Sequence, residues 1–337
     1  MNDDAPGLLR VARSAVRADV VAGKVGDYRA YHEAPAEQRQ RDYATMVNAY
    51  FDLATDFYEF GWGQSFHFAP RARGETFRES ILRYEQWLAL RLGLTPDSQV
   101  LDVGCGVGGP MRTIARFAGC KITGLNNNGY QLKRAAIHTR RAGLEALCET
   151  VEGDFMAMPF PDAHFDAAYA LEATVHAPSI AGVYAEIARV LKPGGMVACY
   201  EWAMTRRFVA SDTEHQRIRR EIEINNGVPC VSTAGEIADA VASTGLELVQ
   251  VEDRCEGSEV PWWEKLAPAG NPFALRRSSG IGKHFTNGSV RVLEALRIAP
   301  RGTTAVARML DQGGRALVAG GMAGIFTPSL LVVARKV

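Results

Sequence analysis

The sequence predicts an α/β protein: a doubly wound sheet with an N-terminal helical cap and a lobe inserted before the last strand. Three observations predict it. From about residue 97, short apolar runs alternate with amphipathic helical stretches. A glycine-rich turn, "GCGVGG", directly follows the first of those runs. Before residue 95 the pattern is mainly helical, with irregular breaks.

The elements follow in order. "TFRESILRYEQWLALRLGL" (76–94) has apolar residues at helical spacing and ends near Gly93. "QVLDVG" (99–104) is a strand. In the next helix, "PMRTIARFAG" (110–119), Pro110 suits the first turn and Gly119 the end. "CKITGL" (120–125) is a second strand, and "GYQLKRAAIHTRRAGL" (129–144) a helix closed by Gly143. "CETVEGD" (148–154), "FDAAYALEA" (165–173) and "GMVACYEW" (195–202) continue as strands, with the helix "SIAGVYAEIARVLKPGG" (179–195) before the last of them. "LELVQVED" (246–253) and "LLVVAR" (330–335) complete a sheet expected to be parallel. Three units result: a cap over 1–95, a sheet domain over 96–253 and 329–337, and a lobe over 254–328.

Composition narrows the function classes. Hydrophobic residues make up 47% of the 337 positions and charged residues 23%, as in ordinary globular proteins. Lys+Arg and Asp+Glu each total 38, so no basic excess points to nucleic acid. The cysteines Cys105, Cys120, Cys148, Cys199, Cys230 and Cys255 are scattered without metal-ligand spacing. They read as reduced thiols of a cytoplasmic protein that binds no metal. Arginines break "LLRVARSAVRADV" (8–20), so it does not read as a signal peptide. "ALVAGGMAGIFTPSLLVVA" (316–334) carries no charge, but its glycines and Thr327-Pro328-Ser329 suggest a loop followed by a buried strand. Peripheral contact with a membrane or lipid surface, and homo-oligomerisation, stay open.

The turn after the first strand reads GxGxGG and then Pro110, not the GxGxxG of a pyrophosphate site. Asp102, at the strand's end, suits a cationic ligand and repels a phosphate. With Gly104, Gly106 and Gly108, this arrangement resembles the Rossmann-like class I S-adenosylmethionine-dependent methyltransferases. That resemblance implies S-adenosyl-L-methionine as the cofactor. It also implies that Asn126, with Asn127 and Gln131, meets the ribose, and that Asp154 and Phe155 meet the adenine.

Four stretches, the glycine turn among them, narrow the resemblance. "YEFGWGQSFHF" (58–68), the strand–turn–strand "LDVGCGVGGPMRTIARFAGCKITGLNNN", "LEATVHAP" (171–178) and "YEWAMT" (200–205) together resemble the sterol 24-C-methyltransferases. "VLKPGG", "VPWW" (260–263) and "FTPSLLVVARK" (326–336) are similar to that family too, so the likeness covers roughly residues 43–337. The family implies transfer of a methyl group to carbon 24 of a sterol side-chain alkene. An alkene is a weak nucleophile and must be held in line with the methyl donor. The product of attack is a carbocation, which a dry site protects and aromatic faces stabilise by about 2 kcal/mol or more. A carboxylate adds charge stabilisation, and loss of a proton to a base gives a 24-methylene side chain.

Roles follow residue by residue. Tyr58, Phe60 and Trp62 are the cation-stabilising set, with ordinary core packing as the alternative, and Phe66 and Phe68 extend the wall toward the substrate. Glycines Gly61 and Gly63 argue against a regular helix there. Glu59, and less so Asp56, are candidate electrostatic partners. Glu172 follows the fourth strand, where this fold sets residues between cofactor and substrate; His176 lies four residues on, and Glu201 ends the fifth strand. The deprotonating base stays open among Glu59, His67, Glu172, His176 and Glu201. Phe60 departs from the Tyr or Trp usual in the family, and Gly129 replaces an acidic residue found in yeast-like members. Two rival readings remain: a methyltransferase for another lipid or isoprenoid acceptor, and a protein that binds S-adenosylmethionine or sterol without turnover.

Overall fold

The computed structural model describes residues 36–266 and 303–337. The expectations for residues 1–35 of the cap and 267–302 of the lobe lie outside the described residues. The chain begins with α1 (Ala36–Arg41), α2 (Tyr43–Gly61) and α3 (Phe77–Arg91). It continues through β1 (Gln99–Val103), α4 (Gly109–Ala118), β2 (Lys121–Asn126), α5 (Gly129–Ala142), β3 (Cys148–Glu152) and β4 (Phe165–Leu171). Then come α6 (Ile180–Val190), β5 (Leu191–Met204), α7 (Thr213–Asn225), α8 (Ala234–Ala242), β6 (Leu246–Asp253), α9 (Thr303–Ala323) and β7 (Phe326–Lys336).

The seven strands form one sheet in the order β3-β2-β1-β4-β5-β7-β6. The strands from β3 to β5 are parallel, as their helical crossovers require. β7 instead inserts antiparallel between β5 and β6, so the sheet is mixed rather than parallel throughout. The order reverses between β1 and β4, which puts a ligand crevice beyond their carboxyl ends.

Both faces of the sheet are covered. Leu101 and Val103 of β1 pack with Ile187 of α6 and Ile237 of α8, while Val100 packs on the other side with Leu88 of α3 and Ile114 of α4. This two-sided burial is why the strands read as continuous apolar runs. α3 opens on a reciprocal capping box between Thr76 and Glu79.

Two local expectations need correction. Residues 316–323, expected as part of a loop, are the end of α9, and Gly320 and Gly321 are buried within it. Gly321 is there because a Cβ would lie 2.5 Å from the Trp263 ring: the glycines admit close packing instead of breaking the helix. Likewise, "YEFG" is the last turn of α2, and Gly63 ends it with φ +87° and its N–H on the Glu59 carbonyl at 3.1 Å. Among the described residues, no helix is long and apolar enough to cross a membrane.

Candidate active site

A cavity of about 460 Å³ opens beyond β1, β2 and β4, in the size range of small-molecule sites. One end is the glycine turn. Gly104 adopts φ +81°, and a Cβ there would come within 2.4 Å of the Ala173 Cβ, so only glycine fits. Asp102, Gly104, Gly106, Asn126, Asn127, Gln131 and Phe155 line this end. The Asn126 amide donates to Gln131 Oε1 at 2.9 Å, which leaves the Asn126 carbonyl oxygen as an acceptor. Burial raises the Asp102 carboxyl to about 7, against the opposing hydrogen bond from Tyr169 at 3.0 Å. An adjacent cation would return it to the charged form. Paired polar acceptors, an apolar Phe155 and a carboxyl awaiting a cation together fit S-adenosylmethionine.

The other end is apolar. α2 presents Val47, Tyr50, Phe51, Phe57 and Tyr58 at helical spacing, facing Leu310 and Leu317 of α9. Tyr58 shares a 2.5 Å hydrogen bond with Tyr50, and its ring lies 5.4 Å from Phe66. Burial, set against the Tyr50 bond and reinforced by the Glu172 carboxylate, raises its hydroxyl to about 12.

Glu172 closes the middle. Its φ of +55° is a strained conformation for a non-glycine residue just after β4. Its carboxylate accepts from the Phe68 N–H at 2.5 Å and from Trp202 Nε1 at 2.7 Å. Burial raises its pKa to about 7 despite these donors and nearby His67. His176 donates Nδ1–H to the Gly227 carbonyl at 2.8 Å, so the neutral ring keeps its lone pair at Nε2. Burial holds its pKa down to about 4.

Of the sequence candidates, Tyr58, Trp62, His67, Phe66, Phe68, Glu172 and His176 line the cavity. Others do not. Glu59 is buried against Arg134 and His138, at 2.9 and 2.6 Å, so its charge is already neutralised. Phe60 is 51% exposed, because it lies on the far side of α2 from Tyr58. Glu201 is sealed beneath the cavity by Thr174 and Tyr184. Asp154 accepts from Tyr43 and from the Met156 N–H, which places it behind Phe155. Gly108 supplies the left-handed N-cap of α4 with φ +73°, not cavity surface. Asp56 holds the Tyr130 hydroxyl at 2.7 Å. His67 has both ring nitrogens committed, to the Phe68 carbonyl at 2.7 Å and Glu85 at 3.0 Å. Burial opposes its charge, but Glu85 outweighs it and the pKa rises, so the ring keeps its proton and offers no lone pair to the cavity.

Among the cavity residues that escaped sequence reasoning, Lys265 and Tyr50 bear most on the chemistry. Lys265 sets its ammonium 4.4 Å above the Trp62 ring and 3.5 Å above the Phe77 ring, so that face of Trp62 already holds a cation. Tyr50 completes the hydroxyl pair. Its spacing of eight from Tyr58, about two helical turns, was the available signal.

Comparison with known proteins places the chain. A family model described as "Methyltransferase domain" matches residues 101–199, and one described as "Sterol methyltransferase C-terminal" matches 273–336. The cycloartenol-C-24-methyltransferase of Arabidopsis thaliana is 48% identical over 93% of this chain and 93% of its own length. The chain belongs to the sterol 24-C-methyltransferase family. The sterol 24-C-methyltransferase of Eremothecium gossypii is 46% identical over 90% of this chain and 84% of its own. A mycolic acid cyclopropane synthase complexed with SAH shares the fold, with a TM-score of 0.68 at 16% identity, over 87% of this chain and 98% of that one. As a family member, the chain is an S-adenosylmethionine-dependent methyltransferase.

Proposed function

We propose that this enzyme methylates carbon 24 of a Δ24-unsaturated sterol in the apolar half of the cavity, and that Tyr58, Glu172 and His176 carry the chemistry. The observation that carries the reading is the meeting of three groups at one place. The glycine turn, the Tyr58–Phe66 ring pair and the buried Glu172 all line the same cavity.

S-adenosylmethionine supplies an electrophilic methyl group. Asp102 and the turn orient it, and Gly104 lets the backbone approach. Leu310, Leu317, Phe51 and Phe57 exclude water from the acceptor tail. As the alkene attacks, positive charge moves onto the tail. The Tyr58 ring and the Glu172 carboxylate stabilise that charge. Fixed donors hold Glu172 in place, so little reorganisation is needed. After a hydride shift, the new methyl loses a proton. His176 takes it at Nε2, since a carbocation is acidic enough for a weak base. The six cysteines are free thiols, which supports a cytoplasmic setting. The acceptor's insolubility supports collection from a lipid surface.

The test is incubation with methyl-labelled S-adenosylmethionine and sterols differing at the side chain and at carbon 4. Label entering only Δ24 sterols supports the reading; label entering none of them sinks it.

A further inference from the structure

Gln64 lines the cavity between the two halves of the reaction; the residue is exposed, while the Arg112 and His138 that hold its amide are buried. Arg112 of α4 donates to Gln64 Oε1 at 2.8 Å, and through its other terminal nitrogen to the Val107 carbonyl of the glycine turn at 2.9 Å. A guanidinium only donates, so the Gln64 amide has one orientation: its NH₂ points at His138 Nδ1, 3.0 Å away. That nitrogen is therefore the acceptor, and His138 Nε2–H donates to Glu59 Oε1 at 2.6 Å. Glu59 in turn receives Arg134 at 2.9 and 3.2 Å. One directed chain thus runs from the methyl-donor turn, through Gln64, to the last turn of α2, which carries Tyr58.

The backbone repeats the link. A Cβ on Gly109 would lie 2.0 Å from the Gln64 carbonyl oxygen, so this segment rests directly on the start of α4. Phe66 also reaches the turn: its ring is 4.0 Å from a Cβ placed on Gly106.

We propose that Gln64 is a positioning residue that fixes the distance between the methyl donor and the acceptor alkene by tying the acceptor wall to the glycine turn. The proposal rests on the reading above, with the donor on the turn and the alkene against Tyr58 and Phe66. A methyl transfer tolerates little misplacement: about 1 Å can cost on the order of 10²-fold in rate.

The test is Gln64→Leu, which loses the amide and both of its hydrogen bonds. Expected is a fall in kcat of roughly 10- to 100-fold on a Δ24 sterol. The Kd for S-adenosylhomocysteine, measured by calorimetry without sterol, stays within about threefold. The Tm falls by only a few degrees, about what the loss of one hydrogen-bond partner each at the buried Arg112 and His138 costs, and the variant stays folded at the assay temperature. Unchanged kcat in Gln64→Leu with an active wild type overturns the proposal alone. So does a kcat loss matched by an equal loss of S-adenosylhomocysteine binding. A wild type that transfers no methyl group to any Δ24 sterol overturns the reading beneath it as well.

Discussion

Glu59 and Arg134 form a two-pronged ion pair, at 2.9 and 3.2 Å, buried between the last turn of α2 and the face of α5. The neighbouring residue, Tyr58, faces the cavity. Successive helical residues point about 100° apart, so one short motif serves two purposes: an anchor on one side and a reactive wall on the other.

The anchor predicts a stability effect. Glu59→Gln leaves Arg134 buried beside a neutral amide, and should destabilise the fold by about 3 kcal/mol. Urea denaturation measures it. The paired change Glu59→Leu with Arg134→Met should recover much of the loss, because it leaves no charge stranded.

The wall predicts a rate effect. Tyr58→Leu removes the ring face and should lower kcat by up to about 30-fold, equivalent to about 2 kcal/mol, with a smaller change in KM. Tyr58→Phe keeps the face and should retain most of the rate. An unchanged kcat in the leucine variant would remove Tyr58 from the cation-stabilising role.

Glu172 predicts a pH effect. Burial raises its carboxyl from 4.5 to about 7, so the folded protein holds a proton there that the unfolded chain has released between those values. Stability at this site is therefore fully present below about pH 4.5 and is lost as pH rises toward 7. Activity runs the other way, since the carboxylate is the useful form: kcat/KM should rise with pH through about 7. In Glu172→Gln that limb should vanish, with a lower plateau. A limb that persists belongs to Asp102, which burial raises to about 7 as well.

His176 predicts a change of product. With its pKa held near 4, the ring stays neutral over the physiological range and can accept a proton. His176→Ala should slow the final deprotonation and let water capture the cation, giving side-chain alcohols beside the 24-methylene sterol. Mass spectrometry of the sterol products measures the ratio; an unchanged product profile assigns the proton to another acceptor.

Much of this was legible in the chain itself. The alternation of apolar runs, the GxGxGG turn and the aromatic stretch announce a class I sheet, its methyl donor and an apolar acceptor. These are local patterns, set by strand and helix periods and by where glycine alone fits. Legibility ended where partners are distant. Five carboxylates or imidazoles stood as equal candidates for the base. Packing separates them: Glu59 meets Arg134, 75 residues away, and His67 meets Glu85. Glu201 turns down to Thr174 and Tyr184, while Glu172 and His176 are left facing the cavity.

The glycines of α9 make the same point from the other side. In isolation they read as breaks; in the fold, Gly321 lets the helix come close to the rings of Trp262 and Trp263, and Gly320 lets it come close to Phe326. The sequence by itself therefore determined the fold class, the donor turn and the aromatic character of the acceptor wall, because each depends on neighbours within a few residues. Only the tertiary structure decided which charges stay available, because a buried charge is silenced or spared by whatever the fold brings against it.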